Sequence, residues 1–114
     1  MNPLIQKFRQ SIQTRVEVAP GKYISVRRPL LGEFVETPEI GKTLISLILH
    51  CSESWDGFTE QDFYPGGDAT PVPFEKEIYS WWLKDHQDHW EKLAKAINDQ
   101  SAEHQSKVEE AKKK

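Results

Sequence analysis

The chain opens with Leu4, Ile5, Phe8 and Ile12 in a four-residue rhythm, with Asn2 placed to cap and Pro3 at the first helical position. This spacing predicts a short amphipathic helix over 3–13. The period then drops to two. Val16 and Val18 alternate with Arg15 and Glu17, and Ile24 and Val26 alternate with Ser25 and Arg27, on either side of Ala19-Pro20-Gly21-Lys22. Proline followed by glycine suits the central positions of a type II turn, so the pattern predicts a β-hairpin over 15–27 with one apolar face. Two strands alone are marginal, and that face must rest on a helix.

Pro29 ends the second strand, and Leu30 to Val35 is too short to read as more than a helical turn. Thr37-Pro38-Glu39 reads as a helix cap, a first-turn proline and a first-turn acid. Behind it, Ile40, Leu44, Leu47, Ile48 and Cys51 fall on one face and Ile45 and Leu49 on another, which predicts a central core helix over 40–51. Residues 52–73 read as a long connection whose Trp55, Phe58, Phe63 and Tyr64 favour a packed loop. Helical spacing returns with Ile78, Trp81 and Trp82, pauses at Asp85-His86-Gln87-Asp88, and resumes as a stripe of Trp90, Leu93, Ala94 and Ile97. Beyond Ile97 only Val108 is large and apolar. The expected fold is therefore α+β, a mainly helical single domain over 1–98 with the hairpin near its start. A polar helical tail, frayed or solvated, follows over 99–114 and ends in Lys112-Lys113-Lys114.

Composition narrows the function classes. At 114 residues there is material for one core only. Four Trp, five Phe and three Tyr argue against full disorder despite 29% charged residues. The net charge of −3 offers no global field for a phosphate backbone. Charge is nevertheless uneven, since residues 51–72 carry five acids and no base. The single Cys51 rules out an internal disulfide, and the absence of a charged leader or a long apolar run favours a soluble cytosolic protein.

Several clusters suggest chemistry. His86 and His89 with Asp85 and Asp88 offer nitrogen and oxygen ligands at helical spacing, but without a His-Glu-x-x-His or Cys-x-x-Cys pattern. Cys51 follows His50, yet helix neighbours point about 100° apart, and core packing explains a thiol there better than nucleophilic catalysis does. Pro65-Gly66-Gly67-Asp68 precedes no lysine and reads as a turn, not a phosphate loop. Arg15, Arg27 and Arg28 with Lys22 and Tyr23 form a candidate basic face for nucleic acid, or an ordinary solvated strand face. The aromatics are more informative. Trp81 and Trp82 are adjacent and diverge on a helix, so one of them is expected to face a loop, a partner or another subunit, and tryptophan is enriched at interface hot spots. No catalytic, metal or cofactor site is expected.

The order of segments carries a resemblance. Val26-Arg27-Arg28-Pro29 followed by Leu31-Gly32-Glu33, then a buried helix, then Trp55-Asp56-Gly57-Phe58-Thr59-Glu60 leading to Pro71-Val72-Pro73-Phe74-Glu75-Lys76-Glu77, resembles the tail assembly chaperones of long-tailed, lambda-like bacteriophages. The match covers about residues 16–97. The chain departs from the pattern at Phe63-Tyr64 with Pro65-Gly66-Gly67 and at the paired tryptophans. The resemblance implies a helix-rich α+β protein without catalysis. Such a protein binds the tape measure protein and helps recruit tail tube protein, as a homo-oligomer in the host cytoplasm and outside the mature virion, with no membrane and no nucleic acid involved. Many such chaperones also exist in an extended form made by ribosomal frameshifting near the end of the short gene, and Lys112-Lys113-Lys114 is what an A-rich slippery site could encode. The expected apolar contact surface comprises Trp55, Phe58, Phe63, Tyr64, Trp81 and Trp82. The runner-up is a small nucleic-acid-binding regulator using Arg15, Arg27 and Arg28, and a third reading is a metal-dependent enzyme built on His86 and His89.

Overall fold

In the computed structural model, which describes residues 2–112, the first helix α1 spans Pro3–Ser11 and is capped by the Asn2 side chain, which accepts from the Leu4 N–H at 2.8 Å. Strands β1 (Gln13–Ala19) and β2 (Lys22–Arg27) form the expected antiparallel hairpin. Gly21 holds φ at 77° in its turn, the positive value that the second central position of a type II turn requires. Helix α2 (Leu31–Glu36) leads to a short 3-10 turn over Pro38–Gly41, and α3 follows over Leu44–Cys51.

The single helix expected over 40–51 is thus two pieces. Thr43 adopts an extended conformation (φ −136°) and its hydroxyl accepts from the Ser46 N–H, so it is the true cap, in preference to Thr37. Leu44, counted with the buried face, is exposed as a result.

A second correction concerns 52–56. Ser52–Asp56 is a third strand, β3, paired antiparallel to β2, giving the sheet order β1-β2-β3. Its Ser-Glu-Ser-Trp-Asp sequence is too short and too polar to announce a strand, and only the partner β2 makes it one. Pairing of Ser25 with Ser54 and of Val26 with Ser52 leaves Glu53 as the extra residue of a bulge.

The remaining connection, 57–75, is the packed loop that its aromatics suggest. Helices α4 (Lys76–Asp85) and α5 (Trp90–Lys112) follow, separated by a 3-10 turn at Gln87–His89, where the sequence pauses. α5 lies across β1 and β2 and against α3, which in turn touches α4. Val16, Val18, Ile24 and Val26 from the sheet meet Ile48, Cys51, Tyr79, Leu83, Leu93 and Ile97 in one core. The result is a single α+β domain. Beyond Ile97 no residue of α5 is buried, although the helix continues unbroken to Lys112. Lys113 and Lys114 of the terminal lysine run lie outside the described residues. Among the described residues no helix is long and apolar enough to cross a membrane.

Candidate functional site

Of the six aromatics expected to face a partner, the structure turns most inward. Phe58 and Trp82 are core residues, which removes both from the surface. Trp55 stacks on Phe58 with ring centroids 4.5 Å apart, meets Phe63, Phe74 and Tyr79 edge-on, and donates its indole N–H to the Val72 carbonyl at 2.8 Å. Half-buried Trp55 and Phe63 therefore knit the 57–75 loop to the core. Only Tyr64 and Trp81 remain well exposed. The two adjacent tryptophans diverge as the helix period demands, with Trp82 at 4% exposure and Trp81 at 66%. Phe63, Trp81 and Trp82 border a shallow cavity of about 290 Å³ with Asp62, Lys84 and Asp85.

The histidines of the metal reading serve Trp82. His86 and His89 stack on its indole at 4.6 and 5.5 Å, and the His86 Nδ1 lies 2.8 Å from the Trp82 carbonyl oxygen. Among the described residues no three His, Cys, Asp or Glu side chains converge as ligands. Cys51 is fully buried, and burial pushes its thiol up to about 11, as expected of a packing residue.

The basic patch is also rearranged. Arg27, placed on a solvated strand face by period-two reading, is buried. Its guanidinium meets Glu53 at 2.5 Å and Glu33 through two bonds of 2.8 and 2.9 Å, and donates to the Arg28 carbonyl at 3.1 Å. The bulge in β3 aims Glu53 at this point, and Arg9 of α1 binds the second oxygen of Glu53 at 2.5 Å. His50 Nε2 closes on Glu33, whose carboxylate also accepts the Leu30 N–H at 2.8 Å.

Burial opposes the charge on both Arg27 and Glu33, but their mutual hydrogen bonds outweigh it. Arg27 is held above its ordinary value, and Glu33 is lowered to about 2 with help from Leu30 and His50. Arg15 pairs with Asp56 at 2.8 Å and lies over the Tyr23 ring. Two of the three arginines are thus neutralised by carboxylates. Arg28 has no carboxylate within 4 Å among the described residues, and its guanidinium lies 5.9 Å from the Phe8 ring centre.

Above this ion network lies a surface that the sequence did not single out. Neither α1 nor α2 contains a buried residue. Leu4, Ile5, Phe8 and Ile12 face Leu30 across a groove of about 400 Å³ whose floor is Arg9, Arg27 and Glu33. On α2, Leu31 and Val35 are 85% and 82% exposed. A neighbouring cavity brings Leu31 and Pro29 to His104 and Val108 of α5. The stripe of α1 was legible. Its lack of a core partner was not, because an amphipathic face looks the same whether a helix packs inward or outward. Helix α1 is instead tied down by the Arg9–Glu53 pair and by buried Ile12 just after its end.

Compared with protein-family models, with curated proteins and with solved structures, the chain matches none of them.

Proposed function

We propose that this chain is a non-enzymatic binding protein for apolar protein segments, acting as a tail assembly chaperone. In that role it holds a tape measure protein in solution in the host cytoplasm, helps recruit tail tube protein, works as a homo-oligomer and does not remain in the virion. The observation that carries the reading is the outward-facing apolar surface of α1 and α2, with Leu4, Ile5, Leu31 and Val35 all more than half exposed in a chain whose core is complete without them. Leu4 and Ile5 share one groove with Phe8 and Leu30, and grouped apolar exposure of this kind marks a site for another chain. The order of motifs around Arg27-Arg28-Pro29, Trp55-Asp56-Gly57-Phe58 and Pro73-Phe74 supplies the more specific assignment.

A chaperone for a long client needs repeated, weakly specific apolar contact, and several copies along one client multiply modest affinities. The test is co-expression with a tape measure protein encoded beside this chain, reading soluble yield and co-purification at low and high salt. Rescue of an insoluble client that persists at high salt is the expected result. No rescue overturns the reading.

A further inference from the structure

We propose that the groove between α1 and the Leu30 end of α2 binds an amphipathic helix with acidic flanks. This deepens the binding reading above and rests on it for the existence of a protein partner. Three observations fix the chemistry of that partner.

The first is shape. The groove is walled by Leu4, Ile5, Phe8 and Ile12 on one side and Leu30 on the other. Nine residues of α1 at 1.5 Å each make an apolar wall roughly 14 Å long, which matches two to three turns of a docked helix presenting residues at i, i+3 or i+4, and i+7.

The second is the floor. Arg9 and Arg27 are matched there by Glu33 and Glu53, so the charges beneath the groove are already satisfied and ask nothing of an occupant.

The third is the rim. Residues 2–16 hold no acid, and of their three cations Arg9 and Arg15 are already paired with Glu53 and Asp56, which leaves Lys7, one helical turn from Leu4 on the flank of the wall. At the Phe8 edge of the groove, Arg28 stands 5.9 Å from the ring centre, lining the adjoining cavity with Lys107 and Glu103 of α5 and with no carboxylate within 4 Å among the described residues. A helix lying on Phe8 with glutamate or aspartate beside its apolar stripe would bring its acids to Arg28 and Lys7, while a lysine-flanked helix would meet like charge. Electrostatic complementarity of this sort sets partner choice more than raw affinity.

The test uses the whole protein and two labelled 18-residue helical peptides with one leucine stripe, flanked by glutamates or by lysines, with affinity read by fluorescence anisotropy at 50 and 300 mM salt. The expected result is preference for the acidic peptide by about tenfold at low salt, shrinking as salt rises. Arg28→Glu should reverse the preference, and Leu4→Asp with Ile5→Asp should weaken both peptides by roughly tenfold or more. All these residues are at least partly exposed, so an unchanged circular dichroism spectrum separates lost binding from lost fold. Equal binding of both peptides, or a preference that Arg28→Glu leaves in place, overturns the acidic flank. Absence of binding to either peptide overturns the groove. So does sedimentation showing a dimer that Leu4→Asp dissociates, or binding only to anionic lipid vesicles. Client rescue by co-expression together with failure here would leave the chaperone reading standing on another surface. Failure of rescue with success here would remove the tape measure client and keep the groove.

Discussion

Replacing Glu33 by glutamine removes one negative charge from beside Arg27 and keeps the side chain's size. In the wild type, the hydrogen bonds from Arg27, Leu30 and His50 overcome burial and lower the Glu33 carboxyl from 4.5 to about 2. Without screening, a shift of that size corresponds to roughly 3 kcal/mol of folding free energy at neutral pH. The Glu33 side chain is 18% exposed, and solvent reduces the expected contribution to about 1–2 kcal/mol. The sign follows from the direction of the shift. A carboxyl lowered in the folded state stabilises fully above its unfolded value of 4.5, and the contribution fades as pH falls through about 2. Urea unfolding of wild type and Glu33→Gln, followed by tryptophan fluorescence from pH 7 to pH 2, measures this directly. The gap in stability should be about 1–2 kcal/mol at pH 7 and close toward zero at pH 2. A gap that stays constant across that range, or no gap at pH 7, would refute the assignment of Arg27–Glu33 as a stabilising ionic tie.

Three other outcomes follow from local geometry. Gly57 has φ 86°, and a Cβ there would stand against the Gly21 carbonyl oxygen, whereas Gly66 at φ 88° faces open space. Thermal denaturation should therefore show Gly66→Ala losing about 1 kcal/mol and Gly57→Ala losing clearly more or failing to fold. Trp82→Ala should cost about 3–5 kcal/mol and Trp81→Ala less than about 1, as read from urea midpoints. Cys51, fully buried with its thiol raised to about 11, should resist a thiol-reactive chromophore at pH 8 until denaturant is added, and immediate reaction would contradict its packing.

What the sequence discloses tracks how local the cause is. The hairpin, the Pro20-Gly21 turn, the break near residue 86 and the core stripe of Trp90 to Ile97 are set by neighbours in the chain, and they stand where their periodicity puts them. Strand β3 depends on β2 some thirty residues earlier, and the burial of Arg27 depends on a bulge in that same strand. Neither cause lies within reach of a window read along the chain. The aromatics show the same division. That Trp81 and Trp82 diverge follows from helix geometry, but which of them turns inward is decided by Phe58 and Tyr79, which reach Trp82 from the loop and from the preceding turn. The apolar groove was hidden for a related reason, because its walls read as ordinary inward faces of short elements.

Helix α5 loses its core contacts at Ile97, and its last side-chain tie to the sheet is the hydrogen bond from Gln100 to Thr14. The turns beyond it stand on backbone hydrogen bonds, surface pairs such as Lys107–Glu103 and the open cavity that His104 and Val108 share with Pro29 and Leu31, which is thin support for a helix end with no buried residue. Cooperativity should therefore divide within one continuous helix. Amide protons around Leu93 to Ile97 should exchange only through global opening, and those from about His104 onward through local fraying. Melting followed by far-ultraviolet dichroism would begin before melting followed by the buried tryptophans, so a single two-state midpoint would misdescribe this chain.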